Sequence, residues 1–311
     1  MYLPKDHLLW DFWLLEEDGT YHLFYLRAPR ALPDPELRHD RARVGYATSR
    51  DLKRWTPGGV VLEPGVPGSW DDLSIWTGSV IAHEGRYYML YTGRSREEAG
   101  RMQRIGLAVS EDLVHWERHP ENPVLEADLR WYEAAEDSIL GFLSWRDPYV
   151  VRHEGVFYAL IAARTRAGDP MGRGCIALAC SRDLVRWEVR PPVLAPGYFA
   201  EMEVPQLVTH ASRHYLCFSV PRHRYAASAP YPRVTGTYYA VADHPAGRYG
   251  PSRLLVGDAR DAAYGGKLVR DPRGRWVLLQ WLGRGANGAF VGGLADPLPV
   301  RVEGDRMEVE A

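Results

Sequence analysis

Cysteine, lysine, side-chain amides and long apolar runs are all scarce in this sequence, and each shortage narrows what the chain can be. Its three cysteines, Cys175, Cys180 and Cys217, cannot all pair, and 311 residues do not need stapling, so no disulfide framework is expected. The longest apolar run, 156–163, falls far short of the ~18 residues that suggest a membrane helix. From Met1 to Asp6 there is no charged head followed by an apolar core, so no secretory signal is evident and a cytoplasmic protein is expected. Charge of one sign is missing too. With 38 Lys plus Arg against 40 Asp plus Glu, the net charge of −2 provides no field to recruit nucleic acid or an anionic membrane, and neither is expected as a partner. The partner expected instead is a neutral small molecule or oligosaccharide; the oligomeric state is not fixed. Lysine occurs only at Lys5, Lys53 and Lys267, and amides only at Asn122, Asn287, Gln103, Gln206 and Gln280, a bias that fits either a heat-adapted chain or a GC-rich genome. Helical periodicity is weak throughout, with 128–138 the one expected short helix.

Aromatic residues are abundant at 12%, as in β-rich cores and sugar-binding clefts. The chain is also repetitive. Val44 to Trp55, Ile105 to Trp116 and Ile176 to Trp187 share one pattern: apolar, small, apolar, Ala, then Ser, any residue, Asp, Leu, two variable residues and Trp. Alternation marks a strand, Ser-x-Asp-Leu a turn, and Trp the opening of the next strand. Weaker copies run from Tyr238 to Tyr249 and from Phe290 to Pro297. Before each copy lies another hairpin with an aromatic-rich second strand, at 21–25, 87–91, 157–161, 214–218 and 276–280. Five units of about 62 residues, each of four strands, are the mark of a radial array. The expected fold is all-β: a single five-bladed β-propeller with four-stranded antiparallel blades around a central channel, at approximately 1–65, 66–135, 136–195, 196–258 and 259–311.

In a propeller the first strand of each blade lines the channel, so repeat position predicts proximity. Ten residues before the first aromatic of the second strand stand Asp11, Thr77, Asp147, Val204 (with Glu203 one step further) and Gly266. Asp11, Asp147 and Glu203 therefore converge from the first, third and fourth blades. Turn-capping by Asp11, turn initiation by Asp147 before Pro148, or pairing of Glu203 with Arg222 would each explain one acid, but not all three at one repeat position. Glu201 competes with Glu203, since residues two apart on a strand share a face. Acids packed beside Trp10, Trp13, Trp76 and Trp145 repel one another and lose water, which raises at least one pKa. A pair of carboxyl groups, one ionised and one protonated, is the minimum equipment for glycoside cleavage.

At these residues the sequence resembles the five-bladed fructan-active clan of glycoside hydrolase families 32 and 68. Trp10-Asp11-Phe12-Trp13-Leu14 is similar to the Trp-Asp-x-Trp-Pro nucleophile motif of family 68, with Leu14 in place of proline. Tyr21 to Tyr25 resembles the His-Leu-Phe-Tyr strand of family 32, and Trp76-Thr77-Gly78-Ser79 the Trp-Ser-Gly-Ser segment of the sugar pocket. Arg146-Asp147-Pro148 matches the Arg-Asp-Pro motif, and Glu201-Met202-Glu203 resembles Glu-x-Glu. The resemblance implies that Asp11 attacks the anomeric carbon, Glu203 protonates the departing oxygen and Asp147 holds sugar hydroxyls. The expected binding residues are Trp10, Trp13, Trp76, Thr77, Ser79, Arg146, Glu201 and Gln206. Retaining cleavage of β-fructofuranosides, with possible fructosyl transfer, needs no cofactor and no metal. Family 32 members usually carry a C-terminal β-sandwich, whereas the five units here account for all 311 residues of this sequence. An arabinofuranosidase or xylosidase resembling family 43 and a non-catalytic sugar-binding propeller are the alternatives.

Overall fold

In the computed structural model, which describes residues 1–310, the three Ser-x-Asp-Leu segments form one turn three times over. Ser49 Oγ accepts the N–H groups of Asp51 at 3.1 Å and Leu52 at 2.9 Å, while Asp51 Oδ1 accepts those of Lys53 and Arg54. Ser110 with Asp112 and Ser181 with Asp183 repeat the pattern. Turn donors are thereby satisfied locally. Leu52, Leu113 and Leu184 take positive φ of 61°, 68° and 65° and are buried, so each turn drops an aliphatic side chain into the core. Trp116 then packs edge-on against Phe24 of the preceding blade.

The turns join strands of five four-stranded antiparallel sheets, each in simple sequence order. The first holds β1 (His7–Glu17), β2 (Thr20–Pro29), β3 (Arg43–Ser49) and β4 (Thr56–Leu62). The second holds β5 (Ser74–His83), β6 (Arg86–Arg94), β7 (Arg104–Ser110) and β8 (Glu117–Arg118). The third comprises β9 (Trp145–His153), β10 (Val156–Arg164), β11 (Gly174–Ser181) and β12 (Trp187–Leu194). In the fourth are β13 (Glu203–His210), β14 (Arg213–Val220), β15 (Thr235–Ala242) and β16 (Arg253–Asp258), and in the fifth β17 (Ala263–Arg270), β18 (Trp276–Leu282), β19 (Leu298–Glu303) and β20 (Arg306–Val309). The innermost strands β1, β5, β9, β13 and β17 contact one another in a closed circuit, which makes the molecule a five-bladed β-propeller. Tyr2 exchanges two backbone hydrogen bonds with Leu294 at 2.8 Å, so the start of the described chain is an outer partner of the fifth blade. Apolar faces of adjacent blades form the core.

Three local expectations fail. Only Ala135–Asp137 within 128–138 is helical, as a 3-10 turn, because the Tyr132 and Glu133 side chains are buried and the Glu133 N–H bonds Arg164 O at 2.9 Å. The 290–297 copy is not a hairpin; Phe290 and Leu294 make only isolated bridges. A 3-10 turn at Pro35–Arg41, unexpected from the periodicity, is capped by Asp34, whose Oδ1 accepts the Glu36 N–H at 2.9 Å. Among the described residues no helix is long and apolar enough to cross a membrane.

Candidate active site

Every innermost strand breaks register once near its start: after Trp10, Trp76, Arg146, Glu203 and Tyr264. These bulges bend the strand and re-aim side chains. Backbone φ turns positive at Asp11 (23°), Asp147 (57°), Val204 (46°) and Gly265 (65°). Pro148 and Pro205 fit here because a bulge leaves a residue outside the ladder, where no N–H is needed. The bulges are also stitched together around the channel. Thr92 Oγ1 donates to Thr77 O and accepts the Asp147 N–H, both at 3.0 Å. Asp147 Oδ2 accepts the Val204 N–H at 2.9 Å, and Val204 O accepts from Lys267 Nζ at 2.6 Å. Finally Trp281 Nε1 of the fifth blade donates to Asp11 Oδ1 of the first at 2.8 Å.

The three expected acids thus meet at one mouth of the channel, with Glu201 beside them. Arg146 sits among them: one terminal nitrogen donates to Glu201 Oε1 at 2.5 Å and Glu203 Oε1 at 2.9 Å, and its Nε lies 3.7 Å from Asp147 Oδ2. Burial alone would lower Arg146, but Glu201, Glu203 and Asp147 together hold it above its ordinary value. Glu201 is further paired with Arg224 at 2.9 Å. Glu203 Oε2 instead accepts the Tyr264 hydroxyl at 2.6 Å. Burial first, then the Glu201 charge, raises Glu203 well above the usual carboxylate range, against Arg146 and the Tyr264 hydrogen bond. Asp11 is pushed up to about 6 by burial and then by Asp147, while the Trp281 hydrogen bond, Arg38 and Lys267 hold it down. Lys267 is lowered to about 8 by burial, with Asp147 and Asp11 opposing.

Trp10, Asp11, Glu201 and Glu203 line a cavity of about 430 Å³, and an adjoining recess of about 320 Å³ adds Trp76, Thr77, Arg146 and Asp147. Three expected binding residues do not reach it. Trp13 is buried against Phe24, since the bulge at Asp11 resets the strand's alternation. Ser79 Oγ accepts the Val150 N–H at 3.0 Å, and Gln206 makes paired bonds to the Leu268 backbone at 2.7 and 2.8 Å; both side chains tie neighbouring blades together. Arg222 pairs with Asp261 rather than Glu203. Residues missed in the sequence are Tyr264, Trp281 and Lys267 from the fifth blade, and Arg38 and His39 carried in by the Pro35–Arg41 turn. Lys267, a lone lysine inside a strand of a lysine-poor chain, was the one detectable signal. Away from the site, His153, Glu154 and His244 bring ligand atoms within 4.8 Å of one another. His244 Nδ1, however, accepts the Ala246 N–H at 3.0 Å, so its neutral ring carries the proton on Nε2 and offers a metal no lone pair.

The profile of the "Glycosyl hydrolases family 32 N-terminal domain" matches residues 12–289. A sucrose-6-phosphate hydrolase of Pediococcus pentosaceus is 26% identical over 274 residues, covering 86% of this chain and 50% of that protein. A levansucrase of Erwinia amylovora is 27% identical over 277 residues, covering 78% of this chain and 63% of that protein. The chain thus spans about half to two thirds of the length of these curated relatives. Among solved structures, the inulosucrase from Halalkalicoccus jeotgali bound to kestose superimposes with a TM-score of 0.82 at 27% identity, covering 99% of this chain and 89% of that one.

Proposed function

Because the chain belongs to glycosyl hydrolase family 32, we propose that it is a retaining glycosidase of β-fructofuranosides such as sucrose, fructo-oligosaccharides or fructans. The observation that carries this reading is the unequal upward shift of two carboxyl groups at one cavity, burial raising both and Glu203 the more. Asp11 has a donor and two cations to favour its ionised form, whereas Glu203 is raised high enough to keep a proton at neutral pH. In the proposed reaction Asp11 attacks the anomeric carbon as the bond to the leaving oxygen breaks and Glu203 gives that oxygen its proton. Glu203 then takes a proton from water, whose oxygen displaces Asp11 and releases fructose. A sugar hydroxyl in place of that water gives fructosyl transfer. Asp147, held by the Val204 N–H and Arg146, is suited to accept hydrogen bonds from sugar hydroxyls, and Trp10 and Trp76 to pack against the ring. Both Glu201 oxygens are engaged by guanidinium groups, which favours Glu203 as the acid. Incubation with sucrose, inulin and levan tests the reading. Fructose should appear, and Asp11→Asn should abolish it while leaving the circular dichroism spectrum unchanged; no fructose from any of the three contradicts it.

A further inference from the structure

Asp11 has a neighbour that neither of the other two bulge-aligned acids has. Trp281 of β18 lies opposite Tyr264 of β17 in the ladder, and its indole N–H meets Asp11 Oδ1 at 2.8 Å. Among the described residues no hydrogen bond reaches the other oxygen, Oδ2. The indole is fixed: it stands edge-on to Tyr264 with centroids 5.6 Å apart and tilts against Phe290 at 5.7 Å. Room for it comes from Gly265. At this bulge the first, third and fourth blades carry a side chain on the positive-φ residue, Asp11, Asp147 or Val204, but the fifth carries none. A Cβ on Gly265 would lie 2.7 Å from Trp281 Nε1, 2.8 Å from its Cδ1 and 3.4 Å from Asp11 Oδ1. The fifth blade has given up the bulge side chain, and an indole from the paired strand occupies its place.

We infer that Trp281, seated on Gly265, is the positioning residue of Asp11: it fixes one carboxylate oxygen and leaves Oδ2 as the oxygen that attacks. An indole N–H suits the task because it donates only, does not titrate in the working range and cannot take the proton from the acid it orients. The other groups facing Asp11 are Asp147 on β9, Arg38 on the Pro35–Arg41 turn, and Lys267 and Tyr264 on β17. Of these Asp147 favours the protonated acid and the two cations the ionised one, so losing the indole donor raises the proton affinity of Asp11.

The inference rests on the reading of Asp11 as nucleophile, and two readouts separate them. In protein labelled with 13C at the aspartate carboxyl carbons, the Asp11 signal is assigned by its absence from Asp11→Asn. Trp281→Phe should move its titration upward by about one pH unit. The acid limb of kcat/KM on sucrose should move by the same amount, making the variant about tenfold slower below that limb, with KM changed less than kcat. Gly265→Ala, which displaces the ring, should act in the same direction. If Trp281→Phe does not fold, benzothienylalanine at position 281, which keeps the ring shape and lacks the N–H, replaces it. An unmoved Asp11 titration in the folded variant overturns the inference. A moved titration in a protein that releases no fructose from any fructoside upholds the positioning and overturns the nucleophile reading alone.

Discussion

Burial raises both acids and Asp147 adds to each, but Asp11 has an indole donor, Arg38 and Lys267 against that rise, whereas Glu203 has Glu201 to add to it and Arg146 and the Tyr264 hydroxyl against it. The longer-stemmed acid is therefore the one that holds its proton. The consequence for pH has a definite sign. In the proposed reaction attack needs ionised Asp11, so kcat/KM should fall as pH drops through about 6; leaving-group protonation there needs protonated Glu203, so it should fall again above neutrality as that proton is lost. A bell with both limbs is expected from initial rates between pH 4 and 10. Glu203→Gln should lose the alkaline limb and about 10²–10⁴-fold in kcat on sucrose. An alkaline limb surviving in this variant would assign it to another group.

At the scale of the element, the repeated turn and the bulge organise the blades, and both trace to short-range chemistry. Each turn serine accepts two backbone N–H groups, so Ser49→Ala, Ser110→Ala and Ser181→Ala should each cost about 1 kcal/mol in urea unfolding. As the three turns lie on different blades, the triple variant should show their sum to within about 0.5 kcal/mol. A cost confined to one turn would mean that the repeat is formal and not energetic. This local chemistry is why the blades were legible in the sequence: Ser-x-Asp-Leu writes the turn, and equal spacing from the next aromatic strand places Asp11, Asp147 and Val204 on equivalent bulges, with Glu203 one residue before the last of them. What was illegible depends on neighbours far away in sequence. Trp281 and Tyr264 carry no repeated motif, and only the meeting of the first, fourth and fifth blades gives them partners. Trp13, Ser79 and Gln206 sit in motif-like segments, yet strand alternation past the bulge turns them to the seams between blades. At 128–138 the buried Tyr132 and Glu133 prevail over a weak helical preference.

The whole molecule is a ring, and a ring is only as sound as its closing seam. Arg30, at the end of β2 on the first blade, donates to the carbonyls of Pro4 and His7 on its own side and of Val291 and Gly292 on the fifth blade. Asp11 and Trp281 face each other across this same seam. Arg30→Ala should lower stability by about 2 kcal/mol in urea unfolding, since charge-assisted hydrogen bonds to four carbonyls are lost at once. No measurable change would place the closure in the Tyr2–Leu294 pairing and the core instead. The central claim is that carboxyl groups from the first and fourth blades divide one displacement between them. The most direct measurement is mass spectrometry of Glu203→Gln quenched during turnover of a fructoside with an activated leaving group, which needs no acid to depart. A mass gain of one fructosyl unit on the peptide that contains Asp11 is the expected result, and an unmodified Asp11 peptide, or the fructosyl unit on any other residue, contradicts the account.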